Sequence, residues 1–166
     1  RLEIEIIGDI EVFNNPLKPT VFVTAHYANW ELAAGAIARK GIDIAVLYSP
    51  FVNPYLDSIM RRARAALGVR LLARDESTRP MIQQMKKGSI GLVIDQRVDS
   101  GTPIPFFGMD KNTTLVPARL ALSKGCDLVP IRIERTDLAR YRVSFYPPIK
   151  PVDPEASVKD QSVQMM

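Results

Sequence analysis

Two kinds of hydrophobic block recur along the chain. Leu2-Glu3-Ile4-Glu5-Ile6 alternates apolar and acidic residues with period two, as a half-exposed strand does. Thr20-Val21-Phe22-Val23-Thr24-Ala25 is instead a continuous β-branched and aromatic run, the pattern of a strand covered on both faces. Between such runs lie stretches of helical spacing closed by glycine. Residues 29–40 are Ala-rich and stop at Gly41. Tyr55, Leu56, Ile59, Met60, Ala63, Ala66 and Leu67 recur at helical intervals before Gly68, and this stripe is expected to pack inward.

Continuing the same reading, residues 42–48, 69–72 and 90–94 form strands. Residues 78–87 and 115–124 form helices closed by Gly88 and Gly125, and 128–134 pairs with 141–146 as the closing strands. Residues 96–114, with two Gly and two Pro, read as one long loop, and loops of that length in compact domains hold sites or move. After Pro147-Pro148 the polar, Pro-rich residues 149–166 carry no strong period and read as an extended or frayed tail. The pattern predicts one domain over residues 1–148. Its expected class is α/β, with a mixed, largely parallel sheet and helices on both faces.

In such sheets, sites gather at the carboxyl ends of the strands. His26 follows the second strand, and Asp95 follows the strand at 90–94, so both blocks are expected to open on the same edge. His26 is the single histidine in the sequence, and therefore the obvious base near neutral pH. Glu31, five residues on, can swing back across the first helical turn, hold the ring in one tautomer and stabilise the imidazolium. The plainer reading of Glu31 is a first-turn acid favoured by the helix dipole.

Charge and cysteine content narrow the chemistry. With 22 Lys+Arg against 18 Asp+Glu, the formal charge is +4, which suits phosphate-bearing lipids, an acidic carrier protein or an anionic membrane surface. No nucleic-acid motif is present, and neither G-x-G-x-x-G nor G-x-x-x-x-G-K-[ST] occurs, so a nucleotide-binding module is disfavoured. One Cys and one His cannot assemble a Cys/His zinc site, and no metal or other cofactor is expected. Cys126 enters an apolar strand and reads as a small core residue. No apolar run reaches the roughly 18 residues that span a bilayer. The chain starts at Arg1 and reads as an excised, soluble or peripheral segment of a longer protein.

Taken together, His26-Tyr27-Ala28-Asn29-Trp30-Glu31, Ile94-Asp95-Gln96-Arg97, Pro105-Phe106-Phe107-Gly108, Thr113-Thr114 and Val129-Pro130-Ile131 resemble the lipid A biosynthesis lauroyl/myristoyl acyltransferases. These belong to the wider glycerolipid and lysophospholipid acyltransferase group with its His-x4-Asp/Glu block. The resemblance runs in order over residues 2–148. It implies a glycerol-3-phosphate-acyltransferase-like fold and transfer of a fatty acyl chain from an acyl carrier protein or coenzyme A thioester to a hydroxyl of an anionic lipid A precursor. It also implies a parent protein at the cytoplasmic face of the bacterial inner membrane.

By the same resemblance His26 and Glu31 are catalytic, and Asn29, Trp30, Asp95, Gln96, Arg97, Phe106, Phe107, Thr113 and Thr114 bind substrate. Plainer roles stand beside several of these. Asn29 is equally an N-cap, Trp30 equally core and Asp95 equally a turn cap, while Arg97 is a phosphate contact or a solvated loop charge. Phe106-Phe107 border an acyl groove or plug the core. Arg61, Arg62 and Arg64 form a solvated face or a docking surface for membrane or carrier protein. The alternatives at the level of function are an acyltransferase for another glycolipid or lysophospholipid, and a catalytically silent lipid or carrier-protein binding module.

Overall fold

The computed structural model describes residues 2–8, 10–73, 78–96 and 98–166. In chain order the elements are β1 (Glu3–Ile7), α1 (Glu11–Asn14), β2 (Thr20–Thr24), α2 (Glu31–Arg39), β3 (Ile44–Tyr48), α3 (Pro54–Ala65), β4 (Arg70–Ala73), α4 (Arg79–Gln84), β5 (Ser89–Val93), β6 (Thr102–Phe106), β7 (Met109–Thr113), α5 (Val116–Lys124), β8 (Asp127–Asp137), β9 (Arg140–Phe145) and α6 (Val158–Gln164). Seven strands form one sheet in the order β1-β9-β8-β2-β5-β3-β4. Every neighbouring pair in it is parallel except β8 with β9. The expected α/β class and the largely parallel, mixed sheet are both present.

Each central strand shows why it reads as continuously apolar. Along β2, Phe22 points into the core under α2, while Val21 and Val23 point to the opposite face, against α4, α5 and α6. Alternation delivers side chains to two cores, so the middle of the strand is apolar throughout and its two polar residues, Thr20 and Thr24, stand at its ends. Phe22 is 1% exposed, and its burial is worth about 2–3 kcal/mol. Gly125 ends α5 in the left-handed region (φ 59°), which lets the Cys126 N–H reach back to the Ala121 carbonyl at 3.0 Å. Cys126 lies partly buried among apolar neighbours, and burial pushes its thiol pKa up.

Three segments depart from the sequence reading. Residues 102–113 form an antiparallel hairpin, β6 with β7, rather than a continuous loop. Its two-residue turn, Phe107-Gly108, has positive φ at both positions (49° and 80°), the twist that suits tight hairpins. Residues 149–166 are neither wholly extended nor frayed. Ile149 bridges to Leu128, Ser157 caps α6 by accepting from the Asp160 N–H, and Met165 is buried beside α5. The third departure is α3, whose apolar stripe does not pack inward: no residue in it is buried, and Tyr55, Leu56, Ile59, Ala63 and Ala66 are exposed. Its half-buried line is instead Asp57, Met60 and Arg64.

Candidate active site at the carboxyl edge of the sheet

Parallel pairing of β2 with β5 sets the site. Val23 faces Leu92 and Thr24 faces Val93, so the residues that follow each strand emerge side by side. The Ile94 N–H still bonds to the Thr24 carbonyl at 3.0 Å, which extends the ladder to the last residue before Asp95. Beyond it the Asp95 carboxylate meets His26 twice. Its Oδ2 accepts the His26 main-chain N–H at 2.9 Å, and its Oδ1 lies 2.7 Å from the ring Nδ1. A carboxylate at Nδ1 selects the tautomer protonated there and leaves Nε2 with its lone pair.

Burial pushes the Asp95 carboxyl pKa up, but the His26 main-chain and ring hydrogen bonds and the charge of the ring outweigh it, and the group sits below the ordinary Asp range. The His26 side chain is 40% exposed, open enough to receive a substrate hydroxyl. Tight local backbone sets its direction. The Tyr27 N–H bonds the Ala25 carbonyl at 2.7 Å, and Ala28 adopts φ 42°, an unfavourable conformation for a residue with a Cβ. The Trp30 ring stands edge-on to the imidazole, with centroids 5.6 Å apart.

Glu31 is elsewhere. Its Oε1 accepts from Arg64 Nε at 2.7 Å and Nη2 at 2.6 Å, and the same guanidinium lies 5.7 Å from the Trp30 ring centre. The sequence placed Glu31 against the imidazole. The structure instead gives the ring to Asp95 and gives Glu31 the task of tying α3 to α2 behind Trp30. The cause is directional: Glu31 is the first residue of α2, and an oppositely charged Arg64 stands on the half-buried line of α3, where it repays the desolvation of the carboxylate.

The other expected site residues divide. Asn29 and Gln96 are exposed at this edge, and the Asn29 carbonyl accepts the Leu32 N–H at the entry to α2. Trp30 is partly buried and packs against the core, so it serves both readings. Phe106 and Phe107 are 55% and 92% exposed, which rules out a plug into the core. The Thr113 hydroxyl donates to the Lys111 carbonyl, and that of Thr114 accepts the Val116 N–H at the start of α5. Both Thr contacts are local and structural. Arg97 lies outside the described residues.

Two contributors escaped the sequence. Lys111 donates from Nζ to the Asp95 carbonyl at 2.7 Å and lies 5.6 Å from the Phe106 ring centre, which fastens the hairpin to the site. It sat inside what read as a loop. Arg64 read as one of three solvated charges, although its spacing from Asp57 and Met60 places it on their side of the helix. Behind Trp30, a cavity of about 30 Å³ runs under α2, lined by Phe22, Ala33, Ala34, Ile37, Val46 and Gly91 among others. That volume suits only the end of an apolar chain in this conformation. Among the described residues no group of three or more His, Cys, Asp or Glu side chains could hold a metal ion, and no helix is long and apolar enough to cross a membrane.

Compared with known proteins, the whole chain, residues 1–166, matches the family described as bacterial lipid A biosynthesis acyltransferase. It is 24% identical over 131 residues to lipid A biosynthesis acyltransferase 2 of Shigella flexneri, and 26% identical over 129 residues to lipid A biosynthesis myristoyltransferase of Escherichia coli strain K12. These alignments cover 77% and 76% of this chain and 41% and 39% of those relatives. The chain thus spans about two fifths of their length.

Proposed function

The chain belongs to the bacterial lipid A biosynthesis acyltransferase family, and on that premise we propose that it carries the acyl-transfer centre, with His26 as general base and Asp95 as the carboxylate that orients it. The observation behind this reading is the double contact of Asp95 with the main chain and ring of His26. In the proposed reaction Nε2 takes the proton of an acceptor hydroxyl as its oxygen attacks the carbonyl carbon of an acyl thioester. Asp95 stabilises the imidazolium that forms. The tetrahedral intermediate collapses, the carbon–sulfur bond breaks, and the imidazolium returns its proton to the leaving thiolate. The acyl chain passes directly to the acceptor without an acyl-enzyme.

The proposed donor is an acyl carrier protein or coenzyme A thioester and the proposed acceptor a hydroxyl of an anionic lipid A precursor, met at the cytoplasmic face of the inner membrane. Arg97, two positions after Asp95 in the sequence, is proposed to contact a phosphate of the acceptor or the carrier. The family names of the relatives support this choice of acceptor over another glycolipid or lysophospholipid. The test is thiol release from an acyl thioester with and without lipid A precursor, in the full-length parent protein. His26→Ala is expected to abolish acceptor-dependent release while the protein stays folded. Undiminished release would leave a binding module as the better reading.

A further inference from the structure

Sixteen large hydrophobic side chains are exposed among the described residues, and nine of them lie on the site edge: Tyr27 beside His26, five on residues 51–59, and Phe106, Phe107 and Met109 on the hairpin turn. The α3 group projects. Helices α2 and α3 each follow a strand of the same parallel set, so both start at the site edge. Arg64 is level with Glu31, the first residue of α2, and Leu67 is level with Gly35, where an added Cβ would stand 3.3 Å from the Leu67 Cβ. Residues 54–63 therefore extend past the start of α2 by about 15 Å at 1.5 Å per residue.

The projecting segment is amphipathic in a particular sense. Its half-buried line, Asp57 and Met60, turns towards the domain, while Tyr55 (81% exposed), Leu56 and Ile59 turn outward. Arg62, three positions after Ile59, borders that apolar face, while Arg61 lies with Arg62, Phe51, Pro54, Asp57 and Ser58 along a shallow groove on the adjoining side of the helix. Asp57 is already engaged by the Phe51 N–H at 3.1 Å, and neither Arg has an ion pair among the described residues. Outward apolar and aromatic side chains, with the guanidinium of Arg62 at their border and that of Arg61 on the adjoining side of the same helix, match a lipid surface with negative headgroups.

We propose that the projecting half of α3 and the Phe107 turn of the β6–β7 hairpin form a two-point docking surface for an anionic bilayer, which holds the His26–Asp95 opening at the headgroup level. The proposal deepens the acyl-transfer reading and rests on it only for the nature of the acceptor. Vesicle binding, measured with no thioester present, fails or succeeds independently of catalysis.

The experiment is co-sedimentation of the full chain with vesicles of phosphatidylcholine alone and of phosphatidylcholine mixed with phosphatidylglycerol. Binding is expected on the mixed vesicles. The pairs Leu56→Ser with Ile59→Ser, and Phe106→Ser with Phe107→Ser, should each weaken it about tenfold. Arg61→Gln with Arg62→Gln should erase the preference for the mixed vesicles. Leu17→Ser, at an equally exposed site before β2 at the opposite sheet edge, should change nothing, and unchanged circular dichroism in all variants keeps the comparison valid. Wild-type binding in both apolar variants overturns the proposal. So does a dimer that depends on Leu56 and Ile59 without vesicle binding, or capture of an acidic carrier protein through Arg61 and Arg62 without vesicle binding.

Discussion

Asp95 grips His26 from two sides, its Oδ2 on the main-chain N–H and its Oδ1 on the ring nitrogen. An amide in its place keeps the shape but presents the ring with the wrong donor and acceptor. Asp95→Asn is therefore expected to lower kcat by about 10²- to 10⁴-fold with little change in KM. Steady-state kinetics of the full-length protein decide the matter. An Asp95→Asn enzyme as active as wild type would return the orienting role to Glu31.

For Glu31 and Arg64 the expectation is coupling. Glu31→Gln and Arg64→Ala each strand a partly buried charge, with side-chain exposures of 27% and 14%. Each should lower thermal stability, and the double variant should cost less than the sum. The interaction energy from urea unfolding is expected near 1–3 kcal/mol. Strict additivity would mean that the pair does not hold α3 to α2.

Much of this arrangement was legible in the chain, and the reasons for the rest are local. Strands β2, β5 and β8 were readable because two-sided burial leaves an unbroken apolar run. Helices α2 and α5 were readable from helical spacing and a closing glycine. The hairpin was hidden by Pro103 and Pro105, which argue against a strand. Their spacing of two puts both ring nitrogens on the same side of β6, and β6 is paired on one side only, so the ladder survives them. His26 and Asp95 were both placed correctly at strand ends. Which carboxylate reaches the imidazole was not legible, because it depends on the Ala28 turn and on Arg64 arriving from another helix. The exposed stripe of α3 read as core because spacing reports an apolar face and not what covers it.

The lowered Asp95 pKa gives a signed pH dependence. An unfolded Asp95 takes up a proton near its ordinary value of 3.8, while the folded one resists until the pH is lower. Its contribution to stability is therefore complete above the unfolded value and is lost as the pH falls through the folded one. Urea unfolding of wild type followed from pH 6 to pH 3 should show a steeper acid decline than that of Asp95→Asn. Parallel curves would mean that the hydrogen bonds to His26 do not bias the protonation of Asp95.

Phe107 occupies a left-handed position that favours Asn or Gly, and its ring is almost wholly in solvent. Phe107→Asn should relieve the backbone and stabilise the hairpin by about 1 kcal/mol. A rise of a few degrees in Tm together with weaker vesicle binding is the expected result. A lower Tm would show that the aromatic pair with Phe106, 4.7 Å apart by centroids, outweighs the strain.

The sheet also fixes an order of assembly. Strand β1 has β9 as its sole neighbour in the sheet, and the Glu5–Arg142 contact that accompanies the pairing closes over 137 positions of chain. At about 5–20 residues per second, a ribosome takes on the order of ten seconds to supply the second partner after the first. For that interval β1 is a nascent edge strand without its mate. Glu3 and Glu5, which later pair with Arg140 and Arg142, keep it charged while it waits, so the residues that finish the sheet also guard the newborn chain from pairing with its neighbours on the polysome.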